Sequence, residues 1–189
     1  MSDVRVERKG EVAWIRLERP DRMNAYDAAM AASLTQAIEG AADAGVIVIT
    51  GSGRAFCAGG YLANLSKPDP NALRSMFYGS LHLYEAIRNS PRPVIAAVNG
   101  VAAGGGNELV VACDLAIAAE SATFGQTGVR VGSAPVLGGT NFLAMGIGEQ
   151  LAYQLADQKA WLVLAARSAD KLGDIARQCE KRGARALAV

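Results

Sequence analysis

Pro93-Val94-Ile95-Ala96-Ala97-Val98-Asn99-Gly100-Val101-Ala102-Ala103-Gly104-Gly105-Gly106-Asn107-Glu108-Leu109-Val110-Val111-Ala112 is the stretch whose reading decides the fold. Its first apolar run, Val94 to Val98, reads as a buried strand, and Glu108 to Ala112 reads as a helix. Four glycines stand between them, three of them consecutive, Gly104-Gly105-Gly106. With no Cβ, glycine lets backbone N–H groups come close to a ligand. If Gly106 opens the helix, Gly105 and Glu108 lie on neighbouring faces of its first turn. A second glycine turn, Phe56-Cys57-Ala58-Gly59-Gly60, follows the apolar run Val46-Ile47-Val48-Ile49. Two such turns can offer two N–H donors to one oxygen, the arrangement that stabilises an oxyanion. With a carboxylate alongside, the pattern points to acyl-thioester chemistry.

Working outward, strands and helices alternate. Val12 to Leu17 reads as a strand that ends at Glu18-Arg19-Pro20-Asp21. Asp27 to Ile38 reads as a helix, with Asp27 as N-cap and Gly40 just past its end. Val46 to Thr50 is a buried strand. Asn71 to Arg88 carries Leu73, Met76, Phe77, Leu81, Tyr84 and Ile87 at helical spacing, and Pro91 and Pro93 stop it. Leu115 to Ala118 is a further strand. Strand–turn–helix units with buried apolar strands predict an α/β fold.

Bulk properties exclude other classes. A chain of 189 residues makes one ordinary domain with a substantial core. Charged residues are 20% and the net charge is +1, so no global field recruits nucleic acid or an anionic membrane. The start, Met-Ser-Asp-Val-Arg, has no apolar signal region, and the apolar runs are too short for a membrane span. Cys57, Cys113 and Cys179 are far apart and lack CxxC spacing, which predicts a reduced, cytoplasmic protein with no structural metal. His82, the only histidine, falls in the 71–88 helix; with no Gly-x-Ser-x-Gly elbow it reads as a helix or pocket-lining residue.

Six ordered segments resemble the crotonase (enoyl-CoA hydratase/isomerase) superfamily: Glu18-Arg19-Pro20 to Asn24-Ala25, Phe56 to Gly60, Pro93 to Gly100, Gly104 to Glu108, Cys113-Asp114-Leu115, and Phe124-Gly125-Gln126. The resemblance covers residues 4–150 and implies a spiral of ββα turns. It also implies that the N–H groups of Ala58 and Gly105 form the oxyanion hole for a coenzyme A thioester, with Glu108 as general acid/base. Asn24, Ala25, Ala58, Gly59, Gly60, Tyr61, Gly104, Gln126 and Gly128 would border the acyl-CoA, and no cofactor beyond that substrate is implied. Family assembly implies a trimer-type homo-oligomer. Tyr61 replaces an Asp frequent in the family, and Gly128 stands where a second catalytic Glu belongs. The Gln126-Thr127-Gly128 run, with Val131-Gly132-Ser133, is similar to dihydroxynaphthoyl-CoA synthases and ring-opening β-oxoacyl-CoA hydrolases. An acidic residue expected there is Pro135. The alternatives to a hydratase/isomerase are therefore a β-oxoacyl-CoA hydrolase, or a chimeric or truncated relative limited to ligand binding.

The last stretch differs. Of 21 glycines only Gly173 and Gly183 fall after residue 150. Gly146-Ile147-Gly148 opens a helical pattern, Trp161 to Ser168 reads as a strand, Lys171 to Arg182 as a helix, and Ala186 to Val189 as another strand. This resembles part of a short-chain dehydrogenase/reductase of Rossmann type, with Gly146, Gly148 and Arg167 near a nucleotide. The fingerprint is incomplete, because Phe142 stands where a glycine is needed and no Tyr-x-x-x-Lys follows. The expected division is a crotonase-like core over 1–145 and a Rossmann-like αβαβ segment over 146–189, packed on or completing it.

Overall fold

The computed structural model describes residues 3–61, 69–126, 161–164 and 169–188. The expectations for Gly128, Gly146, Gly148 and Arg167 lie outside those residues. The chain divides into two compact units, Met1–Thr140 and Asn141–Val189.

In the first unit the order is β1 (Val4–Lys9), β2 (Val12–Leu17), a 3-10 turn (Pro20–Arg22), α1 (Ala28–Glu39), β3 (Val46–Gly51), β4 (Ala55–Cys57), α2 (Pro70–Arg88), β5 (Val94–Val98), β6 (Val101–Ala103), α3 (Gly105–Ala112), β7 (Leu115–Ala118) and β8 (Thr123–Gly125). Five strands form one sheet in the order β1-β2-β3-β5-β7, and three short ones form another in the order β4-β6-β8. Only the β1–β2 hairpin is antiparallel; β2, β3, β5 and β7 run parallel, as do β4, β6 and β8. From β3 onward each strand of the larger sheet is followed by one of the smaller, so the chain advances as repeated ββα turns. Each such step delivers a loop to the end of a short strand, and the two glycine turns follow β4 and β6 in this way.

The core explains the main elements. β2 alternates, with Ala13, Ile15 and Leu17 inward, while β3 is buried along nearly its whole length as an interior parallel strand. Met30, Leu34 and Ile38 of α1 and Leu83 and Ile87 of α2 join Ile15, Ile47, Ile49, Val94 and Val98 in one cluster. Asp27 caps α1 by accepting from the Met30 N–H at 3.0 Å, and Asp69 caps α2, with Pro70 in its first turn.

Several expectations shift. The buried stripe of α2 runs through Met76, Ser80, Leu83, Tyr84 and Ile87, whereas Phe77 and Leu81 are exposed. Strands β1, β4, β6 and β8 were not expected. Three of them have three residues, too short to show a period, and β1 carries four charged residues on an edge. The β7 strand is exposed rather than buried, with Leu115 and Ile117 outward, because it ends the larger sheet. In the second unit β9 (Trp161–Leu164), α4 (Ala169–Lys181) and β10 (Arg185–Ala188) form a parallel βαβ unit with Trp161 opposite Arg185. Cys179 of α4 is fully buried.

One loop ties the first glycine turn to this frame. Arg19 pairs with Asp3 and, at 2.9 Å, with Asp27; the Asp3 hydrogen bond, against the cost of burial, holds its pKa above the ordinary value. Asn24 is completely buried, in the left-handed region at φ 57°. Its side-chain oxygen accepts from the Arg19 N–H at 2.9 Å, and its amide donates to the carbonyls of Ser52 (2.9 Å), Ala55 (2.8 Å) and Phe56 (3.2 Å). Replacing it strands several buried backbone groups at once. Asn24→Ala is expected to lower unfolding free energy by about 3 kcal/mol, read as a fall in the urea midpoint; an unchanged midpoint would contradict the assigned brace.

Candidate active site

The two glycine turns meet at backbone contact. Gly59 has φ +92°, and a Cβ there would come within 2.8 Å of both the Ala103 carbonyl oxygen and the Gly105 nitrogen. A Cβ on Gly106 would overlap the Cys57 carbonyl. Glycine is required at these places because the turns leave no room for a side chain. Cys57 fills the junction as a small buried group. Its thiol donates to the Asn24 carbonyl at 3.2 Å, and burial pushes its pKa up to about 12. It stays a thiol at neutral pH and has no role as a nucleophile.

An N–H inventory corrects one expected donor. The Ala58 N–H donates to the Met23 carbonyl at 2.9 Å, so it is already engaged within the protein. The next residues bracket an open position. Tyr26 N–H donates to the Gly59 carbonyl and Tyr61 N–H donates to the Tyr26 carbonyl, both at 2.9 Å. Among the described residues nothing accepts from the Gly60 N–H between them. Gly105 is the first residue of α3, where N–H groups lack an intrahelical partner. The open N–H of the first turn is thus that of Gly60, two residues beyond the Ala58 that sequence reasoning chose, and its neighbour Gly59 lies against the Gly105 nitrogen.

Other expected contacts separate by burial. Asn24 and Ala25 are buried at 0% and 7% exposure, so they support the turn from inside rather than border a ligand. Tyr61 is half-buried with the Arg22 guanidinium 4.5 Å from its ring centre, a cation–π contact. Gly104, at φ +52°, donates to the Gly125 carbonyl at 2.8 Å and so fixes where α3 begins. Gln126 is half-buried, and its amide oxygen is enclosed with no described partner. Asp114 accepts from the Val94 N–H at 2.8 Å, a structural tie between the start of β7 and β5.

Glu108 lies in the first turn of α3, 3% exposed, with its N–H donating to the Gly104 carbonyl at 3.0 Å. Its charge reaches two phenols that sequence reasoning did not assign to the site. Burial is the main cause that raises the pKa of Tyr26, with Cys57 and then Glu108 adding to it. Burial also raises Tyr84, with Arg88 opposing and Glu108 adding. Both tyrosines therefore feel the Glu108 charge. The available signal was position: Tyr26 directly follows the matched Asn24-Ala25 pair, and Tyr84 lies on the α2 stripe.

A cavity of about 560 Å³ lies elsewhere, between the C-terminal halves of α1 and α2. Thr35, Glu39, His82, Glu85 and Asn89 line it, which makes His82 pocket-lining but remote from the glycine turns. No group of three or more potential metal ligands occurs among the described residues. Cys57, Cys113 and Cys179 are all buried and none is in a disulfide. A thiol reagent at pH 8 is expected to label none of them until denaturant is added; rapid labelling of native Cys57 would contradict its placement.

Comparison with known proteins agrees with this geometry. The chain matches the enoyl-CoA hydratase/isomerase family over residues 7–173, past residue 150 and into α4. It is 43% identical over 154 residues to a probable enoyl-CoA hydratase of Rhodobacter capsulatus, covering 81% of this chain and 60% of that one. A probable mitochondrial enoyl-CoA hydratase of Dictyostelium discoideum is 39% identical over 153 residues, 79% of this chain and 54% of its own. Among solved structures, an enoyl-CoA hydratase subunit of Geobacillus kaustophilus has a TM-score of 0.71 at 38% identity, over 80% of this chain and 60% of that one. One from Bacillus anthracis has 0.73 at 34% identity, over 77% and 58%. The chain thus spans no more than about three fifths of these relatives' length. With its ββα turns and paired glycine turns, it belongs to the enoyl-CoA hydratase/isomerase family.

Proposed function

We propose that this chain carries the thioester-activating half of an acyl-CoA enzyme of hydratase/isomerase type. The observation that carries the reading is the meeting of the two glycine turns, Gly59 against the Gly105 nitrogen, with Glu108 buried in the first turn of the helix that Gly105 opens. In hydration, Glu108 takes a proton from water as its oxygen bonds to the β-carbon of an enoyl thioester. The π electrons move toward the thioester oxygen, where both N–H groups receive the developing charge. The positive end of the α3 dipole adds to that stabilisation. Glu108 then returns the proton to the α-carbon, so one carboxylate serves both steps. In isomerisation the same group moves a proton from the α- to the γ-carbon. The chemistry calls for no cofactor beyond the coenzyme A of the substrate.

Gly128, in place of a second acid, favours a second reading, ring-opening hydrolysis of a cyclic β-oxoacyl-CoA: water adds to the β-carbonyl, the Cα–Cβ bond breaks, its electron pair leaves as the thioester enolate and is protonated there, and the coenzyme A thioester is kept. For Asn141–Val189, the parallel β9–α4–β10 unit supports an α/β segment similar to a Rossmann half, and no nucleotide is assigned to it. The test is loss of enoyl-thioester absorbance with crotonyl-CoA, together with mass analysis of a cyclic β-oxoacyl-CoA incubated with the protein. Glu108→Gln is expected to slow hydration about 1000-fold. Equal rates in both proteins would remove Glu108 from the mechanism, and addition of one water to the cyclic β-oxoacyl-CoA without hydration of crotonyl-CoA would move the reading to hydrolysis.

A further inference from the structure

Tyr26 joins the two glycine turns. Its backbone holds the first, with its N–H on the Gly59 carbonyl and its carbonyl accepting from Tyr61, both at 2.9 Å, in a parallel bridge opposite Gly60. Its side chain reaches the second. A Cβ built on Gly105 would overlap the Tyr26 hydroxyl and lie 3.2 Å from Cζ and 3.5 Å from Cε1. Gly105 is absent from the positive-φ glycines, so left-handed backbone is not what demands glycine there. The demand comes from the phenol oxygen, which occupies the place of a side chain.

The ring is firmly held. Tyr26 is 3% exposed and belongs to the main core cluster. Its hydroxyl hydrogen-bonds with Ser80, itself buried, whose own proton goes to the Met76 carbonyl at 2.8 Å. Burial keeps the phenol neutral. A neutral, buried, hydrogen-bonded oxygen is a stiff stop, and close packing transmits its position to the residue it touches.

We propose that Tyr26 is a positioning residue of the thioester site: its hydroxyl, seated between Ser80 and the α-carbon of Gly105, sets how closely the second turn approaches Gly60 and holds Glu108 in register. This rests on the site reading given above. Tyr26 touches no reacting atom; it acts through Gly105. Ångström-scale misplacement of such groups costs rate more than binding.

Two independent readouts test it. The first is a double-mutant cycle in thermal unfolding with Gly105→Ala and Tyr26→Phe, which needs no activity. Gly105→Ala is expected to lower Tm by about 8 °C with Tyr26 present, and by less than half of that with Tyr26→Phe. Additive shifts overturn the contact, whatever the rates. The second is crotonyl-CoA kinetics of Tyr26→Phe and Ser80→Ala. Tyr26→Phe is expected to lower kcat roughly tenfold with KM within twofold, and Ser80→Ala to change kcat in the same direction by less. Unchanged kcat in Tyr26→Phe overturns the positioning role even if the cycle is coupled. Absence of turnover in the parent protein refutes the site reading, and with it the positioning role, while the cycle still decides the contact.

Discussion

Everything at the site depends on backbone touching backbone. Gly59 lies against the Ala103 carbonyl and the Gly105 nitrogen, and Gly106 against the Cys57 carbonyl. Such contacts tolerate no Cβ, so the two turns act as one rigid object rather than two loops. Around that junction the packing is apolar and full, with Cys57, Phe56 and Ala102 at no exposure. The short sheet β4-β6-β8 exists to make the contact: β4 and β6 pair in parallel and release their turns at the same end. The larger sheet and the α1–α2 layer supply the hydrophobic stability that holds this small sheet in place.

Polar braces finish the task that packing begins. Asn24 spans from the Arg19 loop to the Ala55 and Phe56 carbonyls, and Arg19 in turn ties that loop to Asp3 and to the cap of α1. Tyr26, two residues on, links both turns. A four-residue piece of loop, Arg22-Met23-Asn24-Ala25, and the tyrosine after it thus control the site without supplying its chemistry. Burying their polar groups is tolerable only because each one is paired.

Much of this was legible in the sequence. The long elements, Asp27 capping α1, the Val94–Val98 strand and the helix carrying Glu108 all follow from period and punctuation. The glycine turns announced that backbone approaches something closely. What they approach was only half legible. Spacing cannot show that the Ala58 N–H is taken by Met23, because that partner lies in another loop, which leaves the Gly60 N–H as the open one among the described residues of that turn. Nor can it show that Asn24 faces inward, since Asn in a loop near a site reads equally as a ligand contact. The three-residue strands were invisible for want of length, and the exposure of β7 follows from its place at a sheet edge, which is a property of topology rather than composition.

The central claim is that Gly60 and Gly105 present two N–H groups to one thioester oxygen. A crystal structure of the protein with a bound, non-reactive acyl-CoA thioester tests it most directly. The thioester oxygen is expected about 3 Å from both nitrogens, with the Ala58 N–H still on the Met23 carbonyl. A thioester oxygen bound at Ala58, or lying away from Gly105, would contradict it.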